Sequence, residues 1–263
     1  MSSGAPVSSG APVSAAPGAA PRAISPTGLH LAGISVAVGA RQILRDVTLD
    51  VEPGQVHVVM GPNGSGKSTL ANAVMGRPGF EVTSGRIEID GRDVTAIPAW
   101  ERARAGLFLA PQSPVEVPGV DLVDLMRAAG VPGNVVSGIA DEAARIGLDQ
   151  RLFHRAVNVD LSGGEAKRSE AVQLAVLRPR YCVLDEIDSG LDVDALGAVA
   201  RRIETATSEW GLGVLAVTHF QRLLQELHAD RVHVLVDGRI VASGGPELAE
   251  ELEGTGYRAY AAH

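Results

Sequence analysis

The feature that most constrains the fold is a glycine-rich stretch, GPNGSGKS at residues 61–68, which fits the pattern G-x-x-x-x-G-K-[ST]. It follows the apolar run Val56–Met60 and leads into a helical stretch, Lys67–Met75, that stops before Gly76-Arg77-Pro78. A glycine-rich turn between an apolar strand and a helix is typical of α/β proteins with a parallel sheet. The chain is therefore predicted to fold around such a sheet, with this turn at the end of one strand.

A loop of this kind is suited to bind a phosphate chain. Its glycines let successive backbone N–H groups turn inward, and the helix N-terminus adds partial positive charge. Lys67 is predicted to reach the β- and γ-phosphates of a nucleoside triphosphate, and the Ser68 hydroxyl to ligate Mg²⁺. An ordinary glycine-rich turn is the alternative, and the match at all eight positions and both flanks favours the phosphate site. The predicted nucleotide-binding residues of the loop are Gly61, Pro62, Asn63, Gly64, Ser65, Gly66, Lys67, Ser68 and Thr69.

Composition and charge exclude several classes of protein. The 263 residues are 45% hydrophobic, which is ample for a core and suits one large domain or two unequal ones. A net charge of −8 and an aromatic share of 3% argue against a nucleic-acid binder. The one cysteine, Cys182, can neither form an internal disulfide nor supply the usual four ligands of a zinc site or an iron–sulfur cluster.

The chain is predicted to consist of a disordered tail, residues 1–25, and one α/β domain, residues 26–263. The tail is almost entirely Ala, Pro, Ser, Gly and Val and repeats the hexapeptide SSGAPV. It therefore cannot bury enough apolar surface to offset the conformational entropy that folding would cost. Its composition fits neither a signal peptide nor a transit peptide. We find no run of 18 uncharged apolar residues and therefore expect no direct membrane insertion, and the lone thiol favours a cytoplasmic location.

The residues after the tail alternate between strand and helix patterns. Residues 86–91 predict a hairpin with an Asp-Gly turn at the sheet edge, and residues 98–179 predict a mainly helical insertion with amphipathic segments at 121–129 and 139–146. The fold class predicted is α/β, a parallel-sheet core with an antiparallel β edge and an inserted helical subdomain. The later elements are predicted as strands at 181–184, 213–218, 231–236 and 239–242 and helices at 194–207 and 221–228.

Two carboxylates end the apolar strand 181–184. Asp185 is predicted to hold Mg²⁺ through water, and Glu186 to polarise the water that attacks the γ-phosphate. A strand that ends in Asp-Glu is common and is often only a solvated strand end. Its position downstream of a phosphate-binding loop favours the catalytic interpretation.

A second anion-binding segment, LSGGE at residues 161–165, lies shortly before Asp185 and opens a helix. A second such segment is redundant for one phosphate chain unless it serves a nucleotide that another subunit holds. The segment resembles the signature of the ATP-binding-cassette (ABC) ATPases. The resemblance implies that a second copy of this chain completes each ATP site through Ser162, Gly163, Gly164 and Glu165.

Further elements of the ABC pattern follow in order. The resemblance implies that Gln112 contacts Mg²⁺ and the attacking water, that residues 189–192 form the D-loop, and that His219 lies near the γ-phosphate. Taken singly, Gln112 and His219 are better explained as structural residues, and the order and spacing favour the functional interpretation. The residues given a catalytic role are thus Glu186, His219 and Gln112, and those given a metal role are Ser68, Gln112 and Asp185.

Over residues 28–260 the chain also resembles the SufC ATPases of the SUF iron–sulfur cluster assembly system. The specific parts are PVEVPGV at residues 114–120 and DSGLD at residues 188–192. The resemblance implies soluble SufB-like and SufD-like partners, two ATPase copies in one assembly, and cofactors ATP and Mg²⁺. One departure from the ABC pattern is Val38, which stands where an aromatic residue often stacks on adenine.

Lys67 and Lys167 are the two lysines among 23 basic residues. The resemblance implies a regulatory role for Lys167, which would pair with Glu186 and hold the resting enzyme inactive. The alternative is a solvated lysine on the signature helix.

The function predicted is ATP hydrolysis that powers iron–sulfur cluster assembly through nucleotide-driven closure of two copies. The competing prediction is the nucleotide-binding subunit of a membrane transporter, with residues 114–120 as the segment that discriminates between the two. A nucleotide switch without turnover is a third possibility, which the presence of Asp185, Glu186 and His219 disfavours.

Overall fold

The computed structural model describes residues 27–189, 191–218, 223 and 226–260, except for the side chains of residues 253, 258 and 259. The predicted tail, His219, and half of the predicted helix 221–228 lie outside the described residues. The strands in these ranges are β1 (Leu29–Val38), β2 (Arg41–Val51), β3 (Val56–Met60), β4 (Glu81–Ile89), β5 (Arg92–Asp93), β6 (Leu107–Ala110), β7 (Val117–Asp121), β8 (Ala156–Val157), β9 (Tyr181–Asp185), β10 (Gly213–Val217), β11 (Arg231–Val236) and β12 (Arg239–Gly244).

The helices of the same ranges pack on these strands, and two short 3₁₀ turns lie at Gln150–Leu152 and Tyr257–Tyr260. Within the described ranges, no helix is both long enough and apolar enough to cross a membrane. The α-helices are α1 (Lys67–Met75), α2 (Ala99–Arg104), α3 (Leu122–Ala128), α4 (Val135–Ile146), α5 (Gly163–Leu177), α6 (Val193–Trp210) and α7 (Glu247–Thr255).

Two sheets form the framework. The larger has the order β12-β11-β3-β10-β9-β6, and all its strands are parallel except β12, which pairs antiparallel with β11. The smaller, β2-β1-β4-β5, is antiparallel. Strand β3 lies inside the larger sheet and is buried along its whole length, as expected for a parallel strand covered on both faces.

Helix α1 lies between the two sheets. Its apolar residues Leu70 and Val74 join one core cluster with residues of β1, β2 and β4 and with Val59 of β3. A second cluster, on the other face of the larger sheet, is formed with α3, α4, α5 and α6. Apolar packing on both faces therefore fixes β3 and α1, the two elements that the glycine-rich loop connects.

Much of the predicted element pattern is confirmed. Helix α1 has the predicted bounds, and the predicted hairpin at 86–91 is the β4–β5 pair. The two Asp-Gly turns, at Asp90 and Asp237, have positive φ at both residues, which matches the twist of the strands that they connect.

The predicted mainly helical insertion, residues 98–179, is wrong in part. Leu107–Ala110 is a parallel edge strand of the main sheet and pairs with β9, so the core continues into this interval. Val117–Asp121 also forms a strand and pairs with Ala156–Val157. These strands have two to five residues, too few for a sequence period to distinguish them from helix.

Candidate nucleotide-binding site

A cleft of about 540 Å³ opens at the carboxyl end of β3. It is lined by residues of the phosphate-binding loop together with the side chains of Gln112 and Glu186, which follow strands β6 and β9. Each of these lining residues except Ile43 was predicted from the sequence. The described residues that line the cleft are Ile43, Asn63, Gly64, Gly66, Lys67, Ser68, Thr69, Gln112 and Glu186.

The backbone of the loop requires its glycines. A Cβ at Gly61 would lie 2.1 Å from the carbonyl oxygen of Leu235, and Gly66 has φ +107°, a conformation that side chains rarely adopt. The Ser65 hydroxyl is buried and has no hydrogen-bond partner among the described residues. A buried donor left unpaired in such a loop fits a site for phosphate oxygens.

Lys67 lies over its own loop. Its ammonium donates to the carbonyl oxygens of Gly61 at 2.9 Å and Pro62 at 3.1 Å. Burial lowers the pKa of Lys67, and the carboxylates of Glu186 and Asp185 act against that shift. Because an ammonium has three donors and two are used here, the third is available for an anion in the cleft.

Ser68 and Asp185 form the candidate metal-binding pair. The Ser68 hydroxyl donates to Asp185 Oδ1 at 3.1 Å across the interface between α1 and β9. Burial raises the pKa of Asp185, and the hydrogen bond from Ser68 opposes this. The described residues contain no cluster of three His, Cys, Asp or Glu that would hold a metal ion by themselves. One carboxylate and one hydroxyl fit Mg²⁺, which is usually bound together with substrate phosphates.

Glu186 has an uncommon backbone conformation that its neighbours stabilise. Its φ is +48°, its N–H donates to the carbonyl of Val217 at 2.8 Å, and its own carbonyl accepts from Ser189 Oγ at 2.7 Å. Gln112 Nε2 donates to Glu186 Oε2 at 2.7 Å. The structure thus brings the two predicted catalytic side chains into direct contact in the cleft.

Lys167 does not pair with Glu186 in this structure, contrary to the resting contact that we predicted. Its ammonium donates to the carbonyl oxygen of Pro111 and lies 3.6 Å from Glu170 Oε2. The reason is that Lys167 lies in the buried part of α5, behind the loop that carries Gln112. The alternative, a solvated lysine, is also wrong, since the Lys167 side chain is only 4% exposed.

The signature segment opens a helix as predicted but lies outside the cleft. Ser162 caps α5: its hydroxyl accepts from the N–H of Glu165 at 3.3 Å, and the Glu165 carboxylate accepts from the N–H of Ser162 at 2.8 Å. The Ser162 hydroxyl also donates to Glu165 Oε2 at 2.7 Å, and this bond together with that from the Ser162 N–H lowers the pKa of Glu165. Ser162, Gly163, Gly164 and Glu165 are not among the described residues that line the cleft.

The predicted D-loop, residues 189–192, lies between β9 and α6 in the sequence. Thr218 Oγ1 donates to Asp188 Oδ2 at 3.1 Å, and the Asp192 side chain caps α6 by accepting from the N–H of Ala195 at 2.7 Å. The role of His219, which follows Thr218 but lies outside the described residues, stays a prediction.

Two neighbours of the cleft were missed. Ile43, on β2, supplies an apolar wall, whereas Val38, at the position considered for adenine stacking, is not among the described lining residues. The turn at Gly238 donates its N–H to the carbonyl of Ser65 at 3.0 Å and accepts from the N–H of Arg45 at 2.8 Å. Ile43 could have been found because it is a partly exposed apolar residue in a strand of alternating pattern. Gly238 could have been found because it belongs to the predicted Asp-Gly turn.

A phosphate-binding loop on a parallel sheet, with Ser68, Glu186 and Gln112 lining one cleft and Asp185 bonded to Ser68, defines a P-loop nucleotide-binding protein. The model of the ABC transporter family matches residues 44–189. The chain belongs to the ABC transporter family and is an ATP-hydrolysing cassette of that family.

Relatives and solved structures agree with this assignment. The chain is 44% identical to vegetative protein 296 of Bacillus subtilis over 87% of this chain and 91% of that protein. It is 41% identical to a probable ATP-dependent transporter of Synechocystis sp. over 89% of this chain and 96% of that protein. A bacterial ABC transporter cassette solved as a dimer has the same fold, with a TM-score of 0.71 and 20% identity over 82% of this chain and 98% of that one.

Proposed function

We propose that this chain is the ATP-hydrolysing subunit of a SufB–SufC–SufD-type complex, in which closure of two copies on ATP and Mg²⁺ powers iron–sulfur cluster assembly. The observation that carries the proposal is the segment PVEVPGV, residues 114–120, whose sequence resembles the SufC ATPases and of which Val115 and Val117 line a surface groove. Cys182 is fully buried, and burial raises the pKa of its thiol, so it is unsuited to hold a cluster. The chain would therefore power another protein, which holds the cluster.

The position of the signature outside the cleft of its own copy supports closure of two copies. Ser162 and Gly163 are exposed and present the N-terminus of α5 to the surface, although the cleft of the same copy lies elsewhere. A head-to-tail pair would place this N-terminus against the phosphates that the other copy holds. In that pair Glu186 orients the attacking water, and Gln112 and His219 complete the site.

The groove beside the glutamine loop, residues 111–116, is the surface that we assign to the SufB-like and SufD-like partners. It has a volume of about 310 Å³, and its lining includes Phe108, Val115, Val117 and Leu125. Val115 is 54% exposed although it is apolar. An exposed apolar groove next to the loop that contacts Glu186 suits a partner that responds to the nucleotide state.

The test is co-purification of the tagged full chain from cells lysed in mild detergent. We expect soluble SufB-like and SufD-like proteins in constant ratio, and we expect Val115→Arg to release them because it places a charge in the apolar groove. Val241→Arg, which changes a similarly exposed valine on β12, is the matched control and should retain them.

The competing function, a transporter subunit, is favoured by the name of the Synechocystis relative, a probable ATP-dependent transporter. It predicts that an integral membrane protein is captured in constant ratio and that the same Val115→Arg change releases it. Capture of that kind, without the soluble partners, would contradict our proposal.

A further inference from the structure

The buried ion pair of α5 connects the groove to the nucleotide cleft. Lys167 and Glu170 are 4% and 6% exposed, and their charged groups are 3.6 Å apart, which is an ion pair but too long for a hydrogen bond. Glu170 Oε2 is buried and receives no hydrogen bond from the described residues. A buried carboxylate with an unpaired oxygen is costly, so its presence at this position requires an explanation.

The contacts on the inner side of this pair lead to Glu186. Lys167 donates to the carbonyl oxygen of Pro111, the residue before Gln112. Gln112 in turn donates to Glu186 Oε2 at 2.7 Å. The ion pair is thus two contacts away from the carboxylate that orients the attacking water.

The outer side of the pair faces the groove. Glu170 lines the groove together with Pro111 and Val115, and it also lines a small cavity of about 20 Å³ with Lys167 and Ile187. Besides Glu170, the carboxylates of Asp185 and Asp188 attract the Lys167 ammonium.

We propose that Glu170 is a positioning residue for ATP hydrolysis. Glu170 holds Lys167 against the carbonyl of Pro111, and this contact fixes the loop that carries Gln112. In the resting chain the amide of Gln112 then occupies Glu186 Oε2, so the attacking water has to compete with it for that oxygen. An occupant of the groove reaches this relay at Glu170, where a hydrogen-bond donor competes with Lys167. The inference rests on the roles proposed for Gln112 and Glu186, and it concerns their regulation.

The test is steady-state ATP hydrolysis by the isolated full chain. Glu170→Gln keeps the shape but removes the charge that holds Lys167, so kcat should rise by about threefold or more. KM for ATP should not change, because Glu170 is not among the described residues that line the nucleotide cleft. Glu170→Asp, which keeps the charge, should restore turnover toward that of the parent chain.

The matched control is Glu142→Gln. Glu142 also forms a buried ion pair, with Arg202 at 2.5 Å and 3.0 Å, but on α4 and α6 and away from the glutamine loop. Its removal should lower the resistance to urea while kcat stays within about twofold of the parent. A rise in kcat in Glu142→Gln equal to that in Glu170→Gln would assign the effect to general loosening and overturn the proposal.

A second variant covers the case in which Glu170→Gln does not fold. Lys167→Met combined with Glu170→Leu replaces both charges by apolar side chains, a change that buried pairs often tolerate. It should show the same rise in kcat with unchanged KM. A kcat at or below the parent value in a folded variant of either kind overturns the proposal.

The variant Glu186→Gln distinguishes failure of the proposed catalytic roles from failure of the positioning role of Glu170. If this variant hydrolyses ATP at the parental rate, the catalytic roles themselves are wrong and the relay has no target. If it is inactive while the Glu170 variants match the parent, the proposed site stands and the positioning role alone fails.

Discussion

Glu186 is fixed by its backbone as much as by its side chain. Its left-handed φ of +48° is maintained by hydrogen bonds to Val217 and Ser189, so the carboxylate has little freedom to choose its direction. In the resting chain Gln112 occupies Glu186 Oε2. Once that contact is released, the carboxylate can orient water without rearrangement of the backbone.

Glu186→Gln should lower ATP turnover by about 100-fold or more while ATP binding is retained. The amide has the same shape and its oxygen still accepts from Gln112, but it cannot take a proton from water. Turnover by phosphate release and affinity by nucleotide titration give the two readouts. Glu81→Gln, at an exposed carboxylate on β4, is the control and should match the parent. A Glu186→Gln variant with at least a tenth of the parental turnover would contradict the assignment.

The contact partner of the Lys167 side chain could not be predicted from the sequence. The sequence marks it as an unusual lysine, but the partner of a long side chain depends on which loop packs behind its helix. The structure gives it Pro111 and Glu170. Ser68 and Asp185, in contrast, were predictable because their positions at the ends of a helix and a strand bring them together.

Among the elements, α1 is anchored at its C-terminus by Arg102 of α2. The guanidinium donates to the carbonyl oxygens of Ala73 and Val74 on α1 and of Thr95 and Ile97 before α2. These acceptors include helix carbonyls that have no partner within the helix itself. One buried side chain therefore connects the nucleotide-binding helix to the edge of the smaller sheet.

Arg102→Leu should lower the free energy of unfolding by about 2 to 4 kcal/mol, because it leaves several buried carbonyls without donors. Urea denaturation followed by circular dichroism measures this. Arg104→Leu, on the same helix with its guanidinium exposed over the Trp100 ring, should cost less than about 1 kcal/mol. Equal losses in the two variants would show that the buried donor network contributes little.

Strands β3 and β11 share a buried pair of histidines. His57 Nδ1 and His233 Nε2 are 3.1 Å apart, and the remaining ring nitrogens contact Gln55 at 2.9 Å and Ser243 at 2.8 Å. Burial lowers the pKa of both histidines to about 4, and the charge of Arg231 contributes. Both rings are therefore neutral in the folded chain near neutral pH.

This pair predicts a loss of stability in acid. Both folded pKa values lie below the unfolded value of 6.5, so the unfolded chain binds more protons between about pH 4 and pH 6.5 and stability falls as the pH falls through that range. One such histidine costs about 2 kcal/mol at about pH 5 relative to pH 7.5. His233→Gln should flatten the pH dependence of the urea midpoint, whereas His228→Gln, at an exposed ring, should leave it unchanged. A His233→Gln profile parallel to the parent would refute the prediction.

Elements with a strong local signal were predictable and short ones were not. The loop and α1 have a glycine pattern, an apolar strand before them and a glycine stop after them, and the predicted helix has the observed bounds. Strand β6 has only four residues, and it is recognised by its pairing with β9, which is far away in the sequence. The contact of Ile43 with the cleft likewise depends on how the smaller sheet lies over α1.

At the scale of the whole molecule, the signature of one copy is separate from its own cleft, since Ser162, Gly163, Gly164 and Glu165 are not among the described residues that line the cleft. This separation predicts complementation between two defective variants. Lys67→Ala damages the loop and leaves the signature intact, and Gly164→Asp places a negative charge on the signature where phosphate would bind. Gly164 has room for a side chain, since a Cβ there would meet only Leu191 at 4.0 Å, and an acidic residue near a helix N-terminus is favourable.

Each variant alone should be inactive, and an equimolar mixture should regain ATP turnover. In a mixed pair the intact loop of the Gly164 variant meets the intact signature of the Lys67 variant, which forms one complete site. Turnover of the mixture is measured against its dilution, because recovery must fall as the pair dissociates. A mixture no more active than either variant would show that one copy suffices for the site.

The position of Ser162 and Gly163 outside the cleft of their own copy also has a genetic consequence. If each site draws on two chains, a cell that makes normal and Gly164-defective chains in equal amounts assembles them at random. About a quarter of the pairs would then have two intact sites. Such an allele would be expected to show partial dominance, whereas an allele that prevents folding altogether would behave as recessive.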